Sequence, residues 1–541
     1  MFAASLAFFC LGAASRGLWH ADEHRIAEVA RVMAAPGGDW IVPHLNGEVY
    51  THKPPLVAWI AALAHGRLGL DIVLAARLPS ILGGALATLA TFLIGRRLYG
   101  SAAGLAAAVV LATAGEFDWI CRRAQYDPLL AGFTTMALWF FVRSQFAGPD
   151  LEIRRPWRDA VIGSLCVGLG VMVKGPVAFV FTVPTLIVFA AATREWKLFA
   201  TRRLIALSFV LLPAGIWLAF AIDRGGIGFA RNLVVGRLEA QTGGDDSKTE
   251  PFWFYLVALP KGLVPWTFFL PAAVLAVTTW RRDVERRADL FAISWVVAPL
   301  VLMSFVPSKR DLYLLPLYPG VALCLGKLAA VTEDRLRGRV FAAPRAMLAG
   351  LCIALGAAAV IVASLVVLGA DGFVARRFDW WTAVRGTPSW SLPILAIAIG
   401  AVIALIGWKA LRTASPHRAF DLLSGGAILG VMGFAVVLLP WADAAESPRG
   451  FYEKAAAIVG DAPVARYGVD DFAGHWAMRR NMIPFVDTPV AATRFLADST
   501  RPSFVVAERP TLDRKGVPPG TRIVLEQKLP LAKDLVLLTS E

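Results

Sequence analysis

The chain has 541 residues, of which 57% are hydrophobic and 17% charged, with a formal net charge of +14. A soluble globular chain carries about 25% charged residues, so this composition, with a mean hydropathy of +0.60, reads as a polytopic α-helical membrane protein. The positive charge does not point to nucleic acid: Lys and Arg cluster in short loops between apolar runs, and no basic soluble module interleaved with aromatics is present.

In chain order, apolar runs of spanning character cover 3–18, 72–95, 102–117, 128–142, 159–173, 175–192, 203–221, 255–278, 289–306, 312–329, 346–369, 391–408 and 421–442. The run 55–69 lies between Pro54-Pro55 and Gly69 and reads as an interfacial helix, which leaves thirteen spans. Residues 3–18 have no basic residue ahead of them and read as a retained first helix, not a cleaved signal peptide.

With the N-terminus inside, every inner loop is basic. The first three hold Arg96 and Arg97; Arg143, Arg154, Arg155 and Arg158; and Arg194, Lys197, Arg202 and Arg203. The next three hold Arg281, Arg282, Arg286 and Arg287; Lys327, Arg335, Arg337, Arg339 and Arg345; and Lys409, Arg412 and Arg418. This topology puts the first loop, 20–71, outside, along with 115–128, 222–254, 307–311 and 370–390.

After Trp441 the pattern changes. Short β-type runs, PVARYGV, MIPFVD, SFVVAE, RIVLEQ and DLVLLTS, follow one another, with helical GFYEKAAAIVG and PVAATRFLAD between or before them. This alternation predicts a small soluble α/β domain over 445–541, behind a membrane domain over 1–444. An odd number of spans puts that domain outside. Asp470, Asp471 and His475 read there as a solvated helix start. The five cysteines, Cys10, Cys121, Cys166, Cys324 and Cys352, are scattered and frame neither a disulfide set nor a zinc site.

The first loop is the most informative stretch. Ile26, Val29, Ala30 and Met33 are spaced three and four apart, which predicts a short helix lying on the membrane, with Arg25, Glu28 and Arg31 pairing on its other face. Asp22 stands at its start, where the plain reading is a helix N-cap. PGGDW ends the helix, and Lys53-Pro54-Pro55 opens the next. Other outer helix ends carry Arg122, Arg123 and Tyr126-Asp127-Pro128; Lys174-Gly175-Pro176; and Ser308-Lys309-Arg310-Asp311-Leu312-Tyr313. The loop 222–254 adds Arg231, Arg237, Glu239 and Lys248. Singly, each is explained by snorkelling or an ion pair. Together, beside Pro and Gly turns, two carboxylates among many cations at one membrane face suit an anionic lipid headgroup and a reaction that needs a base.

DEHRIAEVARVM…GGDWIVPHLNGEVYTHKPPL resembles the first outer loop of bacterial GT-C glycosyltransferases that use polyprenyl-phosphate sugars, nearest the aminoarabinose (lipid A) transferases and the protein mannosyltransferase-like proteins. KGPVA, PFWFYLVALPKGLVPWTFFLP and PSKRDLYLLPLYP resemble later segments of the same proteins, and the likeness covers residues 15–320. The resemblance implies a GT-C fold and a multi-pass enzyme of the bacterial inner membrane, with the C-terminal domain in the periplasm. It implies a donor sugar on a polyprenyl (undecaprenyl) phosphate and an envelope acceptor: lipid A, another glycan or a protein. It also implies a catalytic Asp22, a second functional acid at Asp127, and phosphate contacts from Lys53 and Tyr313, with Lys309 and Arg310 nearby. Arg122, Arg123, Glu23 and Lys248 complete the expected donor contacts. The family's metal-binding Glu and His fall here at His52 and Lys248; a lysine ammonium has no lone pair to give, so His52, with His44 as a second ligand, is the opening left for a divalent metal, and no other cofactor is expected.

On that reading the cations stabilise charge growing on the departing lipid phosphate, while Asp22 takes the proton of the attacking acceptor and Asp127 positions the acceptor or Lys53. The rival is a lipid or solute transporter or flippase. It predicts ionisable groups or broken helices near the bilayer midplane, whereas the conspicuous acids here lie at outer helix ends.

Overall fold

The computed structural model describes residues 1–146, 156–199, 208–233, 250–279, 283–331, 339–367, 391–469, 472–497, 502–529 and 533–540. Arg154, Arg155, Arg202, Arg203, Arg237, Glu239, Lys248, Arg281, Arg282, Arg335, Arg337, Asp470 and Asp471 lie outside these, as does the loop expected over 370–390.

Among the described residues, the strands in the first part of the chain form one short hairpin, and its other elements are helical. α1 (Phe2–Cys10) and α2 (Ala21–Ala34) precede strands β1 (His44–Leu45) and β2 (Glu48–Val49), which pair antiparallel. Then come α3 (Leu56–Gly66), α4 (Ile72–Tyr99), α5 (Ser101–Thr113), α6 (Gly115–Cys121), α7 (Asp127–Gln145), α8 (Pro156–Lys174) and α9 (Val177–Thr193). α10 (Leu211–Arg231), α11 (Phe254–Gly262), α12 (Leu270–Thr278) and α13 (Asp283–Ser304) follow. A 3-10 turn, Asp311–Leu317, leads into α14 (Tyr318–Gly326), and α15 (Arg339–Val367), α16 (Ser391–Arg412), α17 (Pro416–Gly433) and α18 (Leu439–Glu446) complete the helical part.

Among the described residues, seven helices are long and apolar enough to cross a membrane, or nine if the bent pairs α5–α6 (67°) and α11–α12 (111°) each count as one span. The chain is a multi-pass membrane protein. All thirteen apolar runs read from the sequence contain helix, and the run 55–69 is the short helix α3. The first run departs most: α1 stops after nine residues, about 14 Å of helix and too short to cross alone. Beyond it, buried Arg16 is drawn into an ion-pair network described below.

α4 is the axis against which the candidate site is assembled. Its closest neighbour is α7, and glycine makes the approach feasible: a Cβ on Gly132 would stand 2.7 Å from the Gly83 carbonyl oxygen. α2 does not lie on the membrane as its pattern suggested. Ile26, Val29, Ala30 and Met33 are all buried in the protein core with Val57, Ala58, Ala61 and Ala62 of α3. An apolar stripe looks the same in sequence whether lipid or a neighbouring helix covers it.

The last hundred residues hold an α/β domain with every strand the sequence predicted. α19 (Arg449–Val459), β3 (Val464–Tyr467), α20 (Ala473–Ala477), β4 (Phe485–Val486), α21 (Pro489–Ala497), β5 (Phe504–Glu508), α22 (Arg509–Lys515), β6 (Thr521–Gln527) and β7 (Leu535–Ser540) follow in order. The sheet order is β4-β3-β5-β7-β6, with β3 parallel to β4 and β5, and β7 antiparallel to β5 and β6. Alternation puts Val464, Phe504, Val506 and Leu537 against α19, and Ala465, Tyr467, Val505 and Val536 against α21 and α22.

Candidate active site

Glu23, in the first turn of α2, is fully buried. Its carboxylate is 3.1 Å from Arg16 Nη1 and 3.2 Å from Arg77 Nε, and it accepts the backbone N–H groups of Trp19 and Ala124. Burial alone would raise its pKa, but Arg77 and then Arg16 outweigh that and hold the carboxyl far below the usual carboxylate range. Arg77 of α4 also donates to the carbonyls of Ala13, Arg16 and Gly17. Three residues along α4, Ser80 Oγ donates to the Gln125 carbonyl and accepts the Gln125 N–H. Glu23 and α4 thus fix two segments against each other: the start of α2 and the turn that leads into α7. Expected as a donor contact, Glu23 is instead spent on internal cations. An arginine inside an apolar run, as Arg16 and Arg77 are, was the readable sign of a buried acid.

Asp22, one residue earlier, is partly exposed to solvent. The helix begins at Ala21 with His20 at the cap, so Asp22 is inside the first turn and does not cap it. Its carboxylate meets Arg25 Nη1 at 3.0 Å and Arg310 Nη1 at 3.8 Å, and its side chain is 29% exposed. Arg310, from the segment before the 3-10 turn, is 57% exposed. Lys53 approaches from the first loop, its ammonium 5.5 Å from the centre of the Tyr126 ring. The Tyr126 hydroxyl is hydrogen-bonded to Tyr50 and lies within the field of Asp22 and Arg25.

Asp127, the first residue of α7, is buried with 4% of its side chain exposed, and Lys174 Nζ stands 2.5 Å from its Oδ1. The same ammonium lies 4.2 Å from the centre of the Tyr313 ring, within cation–π range. Asp127 therefore takes Lys174 as its ion-pair partner, where Lys53 was one of the two expected. Lys174 was visible in sequence as a cation in a Gly-Pro turn. Tyr255 of α11 accepts a backbone hydrogen bond from Arg310 and lies within the fields of Tyr313, Asp127 and Asp311.

Of the other expected phosphate contacts, two are engaged inside the protein and one stacks on an aromatic ring. Arg122 is fully buried and paired with Asp118 at 2.9 Å, and it donates to the Leu11 carbonyl. Lys309 is buried and donates to the Glu250 carbonyl at 2.7 Å, so it pins a loop. Arg123 lies over the Trp119 ring at 5.3 Å, within the fields of Glu23 and Asp22. Lys248 is among the residues not described. No group of three or more His, Cys, Asp or Glu side chains that can hold a metal exists among the described residues. His52 packs its ring on Tyr50 instead, with centroids 5.2 Å apart. Among the described residues, the donor set a divalent cation requires is not assembled around His52.

The family model for dolichyl-phosphate-mannose-protein mannosyltransferase matches residues 52–218. The undecaprenyl phosphate-alpha-4-amino-4-deoxy-L-arabinose arabinosyl transferase of Edwardsiella ictaluri (strain 93-146) is 31% identical over 360 residues, 66% of this chain and 63% of the relative. This chain thus spans less than two thirds of that relative's length. Arabinosyl transferase 1 of Sodalis glossinidius (strain morsitans) is 30% identical over 412 residues, 75% of this chain and 69% of the relative. The crystal structure of ArnT from Cupriavidus metallidurans bound to undecaprenyl phosphate covers 99% of this chain and 96% of its own, with a TM-score of 0.75 and 21% identity. That likeness shows the fold, a GT-C membrane domain followed by a small sheet domain, as the sequence predicted. The resemblance read in the first loop is borne out, and the chain belongs to the undecaprenyl phosphate-aminoarabinose arabinosyl transferase family.

Proposed function

We propose that this chain is an integral-membrane glycosyltransferase that moves a sugar from an undecaprenyl-phosphate carrier to an envelope acceptor of the lipid A class. It works at the outer face of the inner membrane, with the α/β domain in the periplasm. The supporting observation is that an accessible acid, Asp22, pairs with Arg25 and Arg310, with Lys53 over Tyr126 and, next to Tyr126 in the chain, Asp127 of the Asp127–Lys174–Tyr313 group. The names of the relatives supply the donor: undecaprenyl phosphate bearing 4-amino-4-deoxy-L-arabinose.

The chemistry follows from charge. The carrier's phosphodiester has one negative charge, and breaking its bond to the anomeric carbon leaves a phosphate monoester with a second. Lys53, Arg310 and Lys174 bind that growing charge more strongly than the starting one, which is the condition for speeding the step. The acceptor oxygen attacks the anomeric carbon from the opposite side and inverts it, and its proton passes to Asp22. Asp22 suits the base because its carboxylate is open, whereas Asp127 is closed in by Lys174. Asp127 holds Lys174 over Tyr313 and so places a cation.

The test is transfer itself. Purified protein in lipid nanodiscs, given undecaprenyl-phosphate 4-amino-4-deoxy-arabinose labelled in the sugar, moves the label to lipid A. If label stays on the carrier with every envelope acceptor offered, the reading fails.

A further inference from the structure

Among the described residues, the C-terminal domain meets the first loop of the catalytic half through the segment His475–Ile483. β1 and β2 pair His44 with Val49 and Leu45 with Glu48, so Asn46 and Gly47 form a two-residue turn, both at positive φ (55° and 79°). That tip inserts into the segment from α20 to the start of β4. Asn46 Oδ1 accepts the Ile483 N–H at 2.9 Å and lies 2.8 Å from His475 Nε2. A Cβ on Gly47 would stand 2.6 Å from Met482 Cε. A few residues away, Arg31 Nη2 donates to the Arg480 carbonyl at 3.2 Å and to Asn481 Oδ1 at 2.7 Å.

The two anchors belong to two different parts of the proposed site. Arg31 is in the last turn of α2, the same rigid helix that has Asp22 in its first turn. The hairpin runs on through Tyr50, whose N–H donates to the Pro43 carbonyl at 2.7 Å and whose hydroxyl bonds to Tyr126. Three residues later comes Lys53, over the same Tyr126 ring. A short strand pair alone is barely stable in water, so something must hold the hairpin's tip.

We infer that residues His475–Ile483 form a clamp that fixes the first loop, with Asn46 as the positioning residue through which the α/β domain sets Lys53 relative to Asp22. The chemistry of the joint is specific. Asn46 Oδ1 has no hydrogen, so the His475 ring carries its proton on Nε2, and its Nδ1 is buried without a hydrogen-bond partner. One side-chain oxygen therefore takes two donors from the domain. Asn also tolerates the left-handed backbone the turn needs. The inference rests on Lys53 acting as a donor contact, as proposed above.

Three variants separate the contributions. Asn46→Gly keeps the turn and deletes the acceptor; Asn46→Asp keeps both; His475→Leu removes one donor from the other side. Amide hydrogen exchange of residues 44–50, measured in the full-length protein in nanodiscs, reads the clamp directly. Binding of undecaprenyl phosphate alone reads its consequence. Asn46→Gly and His475→Leu are expected to speed exchange of the hairpin and weaken carrier binding about tenfold, the size of one misplaced charge-assisted contact. Asn46→Asp is expected to restore both. Unchanged exchange in Asn46→Gly overturns the clamp. Faster exchange with parental carrier binding overturns the positioning role, provided Lys53→Ala does weaken binding. If Lys53→Ala leaves binding unchanged, it is the reading of the site that falls, and exchange still decides the clamp.

Discussion

Lys174 stands between two site residues, 2.5 Å from Asp127 Oδ1 and 4.2 Å from the centre of the Tyr313 ring. It touches both the second acid and the segment expected to bind phosphate. With side chains 10% and 4% exposed, the pair is mostly hidden from water. Removing one partner of a buried pair leaves an uncompensated charge and costs about 3–5 kcal/mol. Asp127→Ala and Lys174→Ala are each expected to lower stability by about that much. The double variant should cost well under their sum, with a coupling of about 1–3 kcal/mol. Unfolding in detergent, followed by tryptophan fluorescence, measures it. Additive losses would show that the two side chains do not act as a pair.

Asp22 and Glu23 are neighbours in sequence with opposite expected phenotypes. Asp22 pairs at the surface, where an ion pair contributes about 1 kcal/mol or less, and its proposed work is general-base catalysis, which supplies about 10²–10⁴ in rate. Asp22→Asn should therefore keep the parental melting temperature and lose transfer by at least about a hundredfold. Glu23→Gln leaves Arg16 and Arg77 facing each other in the interior and should destabilise the protein by about 3–5 kcal/mol. Melting curves and single-turnover transfer rates on the same preparations separate the two. A stable Glu23→Gln protein that has lost only turnover would return Glu23 to the substrate contacts.

Lys53 should reveal itself through salt. A charge-assisted hydrogen bond contributes about 1.5–3 kcal/mol, so Lys53→Ala is expected to weaken undecaprenyl phosphate binding about ten- to a hundredfold. Lys53 is only partly buried, so the contact is screened, with a Debye length of about 10 Å at 0.1 M salt. The gap between parent and variant should narrow as salt rises. Titrations at low and high ionic strength check this. Equal affinity of parent and variant at low salt would remove Lys53 from the phosphate.

Much of this was legible in the sequence. Period-2 alternation located all five strands of the C-terminal sheet, and apolar runs located the helices, because burial on one face or all faces leaves a direct mark. The residues of the proposed site were singled out in the sequence, and in space Asp22 meets Arg310 while Lys174 links Asp127 to Tyr313. Partner choice was not legible. Arg122 and Arg123 are adjacent, yet one turns inward to Asp118 and the other lies over Trp119. Glu23 is adjacent to Asp22 yet faces the opposite way. Which cation meets which anion is decided by helix rotation and by long-range packing such as the Gly83–Gly132 contact, and neither is written in local spacing. His475 illustrates the same limit: expected at a solvated helix start, it is buried beneath the first loop.

That burial gives a pH dependence with a definite sign. The His475 pKa is pushed down from 6.5 to about 3, first by burial and then by the Arg466 and Arg31 charges. Between those two values the unfolded chain holds a proton that the folded chain lacks. Where the unfolded state binds more protons, stability rises with pH. His475 therefore costs nothing above about pH 6.5, and its neutral, docked form becomes progressively harder to keep as pH falls through 6 and 5 towards 3. Melting temperature of the full-length protein should drop over that range, and hydrogen exchange should quicken first at the hairpin 44–49 and in α20. His475→Gln can donate to Asn46 but cannot titrate, so its melting temperature should fall less steeply than the parent's below pH 6. Parallel curves for the two proteins would mean that acid acts through other groups.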